Sequence, residues 1–334
     1  MRISVVGQQY PDSLAKNLSV TLKQMGHIVQ EVDQHMLMPT GNLPKSFRPF
    51  LALLQQTERY QTIQGNRVAK SLIAFHPELV INTYAELYPI AIGKVRAELG
   101  RSTVIVFLYP DANANLGREY ALAADYDLWF FKDPFVVDLF HTHLGINVHY
   151  LPEACNPIWH YPIEPSTADR ARYGCDLTTA GNMYYYRALM LNMFTEYDLK
   201  IWGSSYPKWL DSPLRAHYPG LYIAETEKAK ALRSAKIVLN TLSHKEISGI
   251  NARAFEVAGC GGFQIADWRP NMDDLFVEDK EIVIFRSRDE LKDKVDYYLR
   301  KPEQREQIAM AGCRRAHADH TYQKRLEKIF ELIS

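Results

Sequence analysis

NARAFEVAGCGGFQIADW, residues 251–268, sets a charged pair, Arg253 and Glu256, on a run of helical spacing, follows it with Cys-Gly-Gly and resumes with an apolar segment. The pattern predicts a short helix, a glycine stop and a buried strand. One glycine suffices for such a turn, whereas Gly259, Gly261 and Gly262 place three within four residues. Residues without a side chain let another group approach the backbone closely, so the stretch reads as a ligand-facing turn as well as a fold element.

The same alternation extends in both directions. Upstream, TEKAKALRSAKIVLNT (226–241) reads as helix and strand, GLYIAE (220–225) and DLKIWG (198–203) as strands, YYYRALMLNMFTEY (184–197) as a helix, and CDLTTAGN (175–182) as a strand and turn; downstream, EIVIFRS (281–287) is a further strand. The N-terminal half begins with RISVVG (2–7), a helical pattern through Leu14, Leu18, Leu22 and Met25, a stop at Gly26, and a second strand in HIVQEVD (27–33), which is a βαβ opening. Beyond a variable region around 35–60, strands are expected in SLIAFHPELVINTY (71–84, after a helix end and Pro77), STVIVFLYPD (102–111), YDLWFFKDP (126–134) and NVHYLP (147–152). Continuous apolar runs between helices imply parallel sheets covered on both faces. EACNPIWHYPIEPS (153–166), with three prolines, reads as a linker.

The fold class expected is therefore α/β, with two Rossmann-like domains facing each other across a cleft and ligands at the carboxyl ends of the strands. The expected division is a first domain over 1–155, a second over 156–318, and a C-terminal helix over 319–334. That helix, TYQKRLEKIFELIS (321–334), carries Tyr322, Leu326, Ile329, Phe330 and Ile333 on one face and is expected to pack back on the first domain.

A chain of 334 residues with 47% hydrophobic and 23% charged residues lies in the ordinary globular range and is long enough for two cores. A net charge of +0 gives no bulk electrostatic reason to expect nucleic acid as a partner. The N-terminal apolar run is too short for a signal peptide and no stretch is apolar enough to span a bilayer, so a cytoplasmic protein without a membrane span is expected. Cys155, Cys175, Cys260 and Cys313 lack metal-binding or disulfide spacing and are expected to be buried thiols.

RAFEVAGCGGFQI (253–265), NMDDLFVEDKEIVIF (271–285), DELKDKVDYYLRKPEQREQIAMAG (289–312) and HTYQKR (320–325) together resemble the C-terminal half of the CgeB-like glycosyltransferases, a family named for a spore maturation protein. Earlier pieces match as well: YPD (109–111), YDLWFFKDP (126–134), VHYLPEACNP (148–157), AGNMYYYR (180–187), DLKIWG (198–203) and AKIVLNT (235–241). The likeness covers most of the chain beyond about residue 70 and is most specific from 235 onward. It implies a GT-B fold, a nucleotide-diphosphate sugar as co-substrate held by the second domain, an acceptor on the side of the first, and no obligatory metal or other cofactor. It leaves the sugar, the base and the acceptor (glycan, protein or small molecule) unnamed.

In that setting the opening stretch becomes a donor site. Retaining GT-B transferases aim a helix N-terminus at the nucleotide diphosphate, where free N–H groups and the helix dipole favour an anion. Ser248, Gly249 and Asn251 would form the turn and cap, with Asn251 as N-cap, Glu256 would accept the ribose hydroxyls, and Arg253 would meet a phosphate or Glu256 itself. Such helices carry a second glutamate eight positions before the ribose-binding one; Ser248 stands there, with Glu246 out of register, so the grip on the sugar and the stereochemical outcome stay open. At AGNMYYYR, Gly181 and Asn182 would bring main-chain N–H groups to a phosphate, and Arg187 would offset the charge of the departing diphosphate.

Asp111, at the end of an apolar strand, is the candidate base for the acceptor hydroxyl, against the alternative of a Pro-Asp turn. Lys132 and Asp133, closing the next strand, and Gly7, Gln8 and Gln9 complete that rim. Asp125-Tyr126-Asp127 precedes its strand and reads as a turn, not a metal motif, and His141 and His143 do not share a helix face. Neither a phosphate loop nor a Gly-x-Gly-x-x-Gly fingerprint is present. The expected activity is metal-independent transfer of a hexose-like sugar from a nucleotide-diphosphate donor. The alternatives are a nucleotide-sugar epimerase or hydrolase of the same fold, or a non-catalytic nucleotide-sugar-binding scaffold.

Overall fold

The computed structural model describes residues 1–33, 53–54, 57–84, 87–116, 119–203 and 206–334; most of the variable region around 35–60 lies outside them. Among the described residues the order of elements is β1 (Arg2–Val6), α1 (Leu14–Gln24), β2 (Ile28–Val32), α2 (Glu58–Phe75), β3 (Leu79–Thr83), α3 (Pro89–Leu99), β4 (Val104–Tyr109), β5 (Leu128–Phe131), α4 (Pro134–Leu144) and β6 (Val148–Tyr150). It continues with α5 (Thr167–Tyr173), β7 (Cys175–Ala180), α6 (Tyr185–Leu191), β8 (Leu199–Trp202), α7 (Glu225–Ser234), β9 (Ala235–Asn240), α8 (Ala252–Gly259), β10 (Gln264–Asp267), α9 (Met272–Leu275), β11 (Val283–Phe285), α10 (Arg288–Leu299), α11 (Pro302–Asp319) and α12 (Tyr322–Ile333).

Contacts divide the chain into two compact units, one made of Met1–Leu151 with Leu326–Ser334, the other of Pro152–Arg325. The first holds a six-stranded parallel sheet in the order β2-β1-β3-β4-β5-β6. Of its inner strands β1, β3, β4 and β5, LVINT (β3) and LWFF (β5) are buried at every residue, whereas β2 at the edge leaves Ile28 63% exposed. Phe107, Tyr126, Trp129 and Phe131 form an aromatic centre between sheet and helices, with Phe107 and Trp129 centroids 4.5 Å apart.

The second unit holds a five-stranded parallel sheet in the order β11-β10-β9-β7-β8. Leu177, Ile201, Ile237, Leu239 and Ile265 pack with Phe194 and Leu191 on one face, while α8 packs with Ile250, Phe255, Ile282 and Ile284 in a second cluster. All four cysteines are buried thiols, and no helix of the described residues is long and apolar enough to cross a membrane.

Two local expectations are corrected. GLYIAE (220–225) is not a strand: β8 ends the sheet on that side, β7 pairs directly with β9, and Gly220 takes φ +70°. Among the described residues no strand of the sheet pairs with the segment, and Leu221 and Tyr222 stay about half exposed, at 47% and 53%. The helix expected over 184–197 stops at Leu191 and tightens into a 3-10 turn over Asn192–Phe194, which drives Phe194 fully into the core. Asp125 and Asp127 are turn residues, in keeping with their place before the strand: Arg101 donates to both, and the Asp127 carboxylate also accepts from Ile105 N at 2.7 Å.

Candidate donor site of the second unit

Parallel pairing of β7 with β9 delivers two neighbouring strand ends to one edge of the sheet, Ala180-Gly181 from β7 and Asn240-Thr241 from β9. Gly181 has φ +118°, a conformation open to glycine, and its N–H donates to Trp202 O at 2.9 Å. A Cβ at this position would overlap Arg253 Nη2 and lie 3.5 Å from Arg187 Nη1. Two guanidinium groups therefore reach the same small space above Gly181.

Arg187, on the first turn of α6, is 3% exposed. Its Nε donates to Thr241 Oγ1 at 3.2 Å, its Nη1 to Asn182 O, and its Nη2 to Tyr184 Oη at 3.2 Å, with the guanidinium 4.5 Å from the centre of the Tyr184 ring. Tyr184 in turn donates to Thr241 O at 2.9 Å, closing a brace between β9 and α6. Arg253, on α8, is half-buried and donates from Nη1 to Asn240 Oδ1 at 3.4 Å. Asn240 is fully buried; it also accepts from Asn251 Nδ2 at 3.0 Å and donates to Gln264 Oε1 at 3.3 Å, while Gln264 donates to Ala254 O at 2.7 Å.

Every one of these partners is neutral. Among the described residues no carboxylate pairs with Arg187 or Arg253. Burial, reinforced by the charge of Arg187, pushes the Arg253 guanidinium down to about 9, and burial lowers Arg187 as well. Arginine side chains keep their proton in proteins, so the space holds two like charges. Enclosing two like charges without a counter-ion is costly, and a bound anion removes that cost. Perturbed groups of this kind cluster at functional sites.

Asn251 caps α8: its Oδ1 accepts from Ala254 N at 3.2 Å. The turn before it is fixed from β10, because Arg269 donates to Glu246 O at 3.0 Å and Ser243 O at 3.2 Å, and Asn271 N donates to Ser248 O at 3.1 Å. Ser248 is half-buried and Gly249 buried in this turn. Asn182 is exposed beside Gly181.

Of the two partners expected for Arg253, a phosphate or Glu256, the structure does not pair it with Glu256. Glu256 is 8% exposed, and its partner is not Arg253 but Lys228 on α7, with Nζ 2.8 Å from Oε1. Three positions separate Arg253 from Glu256, yet Arg253 runs toward Gly181 and Asn240 while Glu256 turns toward α7. Asp111 lies in the other unit, at the carboxyl end of β4, half-buried, where it accepts from Ala112 N at 2.7 Å and Asn115 Nδ2 at 3.0 Å. The structure thus gathers Gly181, Asn182, Arg187, Asn251 and Arg253, supports them with Ser248 and Gly249, and sets Glu256, on the same helix as Arg253, in an ion pair with Lys228 of α7.

Asn240, Thr241, Gln264 and Lys228 are not among the residues expected from sequence. A signal for Lys228 exists: it shares the buried positions of α7 with Ala229, Ala231 and Leu232, so a charge sits in an apolar phase.

Residues 187–331 match the family model described as glycosyl transferase-like. No curated protein sequence matches the chain. Among solved structures, sucrose-phosphate synthase from Thermosynechococcus elongatus superposes with a TM-score of 0.68 at 12% identity, covering 99% of this chain and 98% of that one. A trehalose-6-phosphate protein of E. coli bound with UDP-2-fluoro glucose gives 0.68 at 14% identity, covering 99% of both chains. Anabaena HepE in complex with UDP-glucose gives 0.64 at 11% identity, covering 100% of this chain and 99% of that one. The fold is that of the GT-B glycosyltransferases.

Proposed function

We propose that the chain is a glycosyltransferase that moves a hexose-like sugar from a nucleoside-diphosphate donor to an acceptor hydroxyl, and that it belongs with the CgeB-like enzymes. The observation that carries this reading is the pair of enclosed guanidinium groups, Arg187 and Arg253, meeting over Gly181 with neutral partners only. A diphosphate supplies the two negative charges this space lacks. Its charge grows as the bond from the anomeric carbon to the phosphate oxygen breaks and the electron pair leaves with the diphosphate. Cations fixed in advance stabilise that change more than the ground state. Two such groups take the part a divalent ion would play, which favours metal-independent transfer.

Gly181 and Asn182 offer main-chain N–H groups to the same phosphates, and the α8 N-terminus behind Ser248, Gly249 and Asn251 adds its dipole. Glu256 accepts from the ribose. Asp111 is the group proposed to take the proton from the acceptor hydroxyl. The UDP and UDP-sugar complexes of the Anabaena and E. coli proteins support a nucleotide-sugar donor here.

Thermal shift against UDP, GDP, ADP, CDP and TDP and their sugars, with and without chelator, tests the donor, since a ligand bound to the native state stabilises by mass action. A shift that persists in chelator is expected, together with release of free nucleoside diphosphate that depends on added acceptor. A shift seen only with divalent metal overturns metal independence. Release without acceptor identifies a hydrolase or epimerase, and binding without release a non-catalytic scaffold.

A further inference from the structure

Lys228 and Glu256 form an ion pair between two helices, 2.8 Å long, with side chains only 10% and 11% exposed. Enclosed ion pairs are a weak source of stability, because the loss of hydration of both charges offsets their attraction. Alanine-rich surroundings on α7 make the lysine more conspicuous, since Ala229 and Ala231 are fully buried beside it. A carboxylate has about four lone-pair sites across two oxygens. Lys228 occupies one at Oε1, and among the described residues no hydrogen bond reaches Oε2.

We propose that Lys228 is a positioning residue for ribose recognition: it holds the Glu256 carboxylate in one rotamer, with Oε1 turned to the ammonium and Oε2 presented to a ribose hydroxyl. This rests on the donor reading and adds to it the device that sets sugar specificity in the nucleotide. Without the ammonium the carboxylate loses the partner that fixes its direction. A site built to bond a hydroxyl discriminates strongly against the analogue that lacks it, because its own buried polar group is then left unpaired. The pair is therefore a selector of ribonucleotides over 2′-deoxyribonucleotides, separate from the guanidinium groups that hold the phosphates.

The test measures affinities of UDP, GDP, ADP and CDP, the 2′-deoxy form of each and the corresponding monophosphates by calorimetry, for the unaltered protein, Lys228→Met, Lys228→Arg and the double variant Lys228→Met/Glu256→Gln. The unaltered protein is expected to prefer the ribo form of its best nucleotide by about tenfold or more, the worth of one charge-assisted hydrogen bond. Lys228→Met should bring that preference below about threefold, and Lys228→Arg should restore most of it. The preference for diphosphate over monophosphate, which reads the guanidinium groups, should survive in all three. The double variant leaves no lone enclosed charge, so it keeps the comparison open should Lys228→Met fail to fold, and it too should show no ribo preference. A ribo preference retained in Lys228→Met or in the double variant overturns the proposal and makes the pair structural. Failure of the unaltered protein to bind any nucleoside diphosphate overturns the donor reading instead.

Discussion

Arg253 is held by an amide, Asn240, where a structural arginine would meet a carboxylate, and that choice separates function from stability. Its charge costs the ligand-free protein and is recovered only when an anion binds. Arg253→Met is therefore expected to leave the ligand-free melting temperature unchanged or to raise it, while nucleoside diphosphate affinity falls at least about tenfold, since hydrogen bonds to charged groups contribute about 1.5–3 kcal/mol. The effect should shrink with the bare nucleoside, which has no phosphate to lose. Glu256→Gln should behave in the opposite way: its loss persists with the nucleoside, and it lowers the ligand-free melting temperature because Lys228 keeps an enclosed charge without its counter-ion. An Arg253→Met protein that melts earlier yet binds nucleotide normally would show a structural arginine. From sequence, Arg253 and Glu256 were both visible as charges on one short helix. Their partners were not, because Asn240 and Lys228 lie 13 and 28 positions away and local spacing carries no information on which strand end or helix lies opposite.

Among elements, the turn after β7 is the tightest constraint on the site. Gly181 combines φ +118° with a space that Arg253 Nη2 already occupies, so any side chain there is strained in its backbone and displaces the guanidinium. Gly181→Ala is expected to fold, with a stability loss of about 1–3 kcal/mol, and to lose nucleoside diphosphate affinity by at least about tenfold in calorimetry. Undiminished affinity would mean that the space above Gly181 is not where the phosphates lie. The strand-glycine-helix pattern of CDLTTAGNMYYYR exposed this turn in the sequence, as did the apolar runs that became β1, β3, β4, β5, β9 and β10. GLYIAE misled because its composition suits a strand while the sheet offers it no neighbour, and strand formation depends on pairing that composition does not encode. The early end of α6 at Leu191 has the same origin: packing of Phe194 overrides a helical pattern that continues to Tyr197.

For the whole molecule, the chain leaves its first unit after Leu151, builds the second, and returns after Arg325. The two crossings are tied within the second unit, where Arg325 Nε donates to Pro152 O at 2.8 Å and Nη2 to Glu153 O at 2.9 Å. The terminal segment, Leu326–Ser334, belongs to the first unit, with Leu326 and Ile329 fully buried and Phe330 against His27 at 5.1 Å between ring centres. The sequence announced this helix through its single apolar face, and burial of that face implies its use, the completion of a fold begun with β1. Replacing a fully buried leucine or isoleucine by alanine costs about 2–5 kcal/mol. Ile329→Ala should thus weaken the unit to which residue 329 belongs, although that unit is otherwise made before residue 152. Hydrogen exchange resolves the point, because local stability is read amide by amide. Faster exchange is expected through β1 to β6, with β7 to β11 and the nucleotide-induced protection of residues 180–187 and 240–256 unchanged. Equal loss of protection in both sheets would show that the last helix stabilises the chain as one cooperative body, and that the return crossing at Arg325 is no boundary in folding.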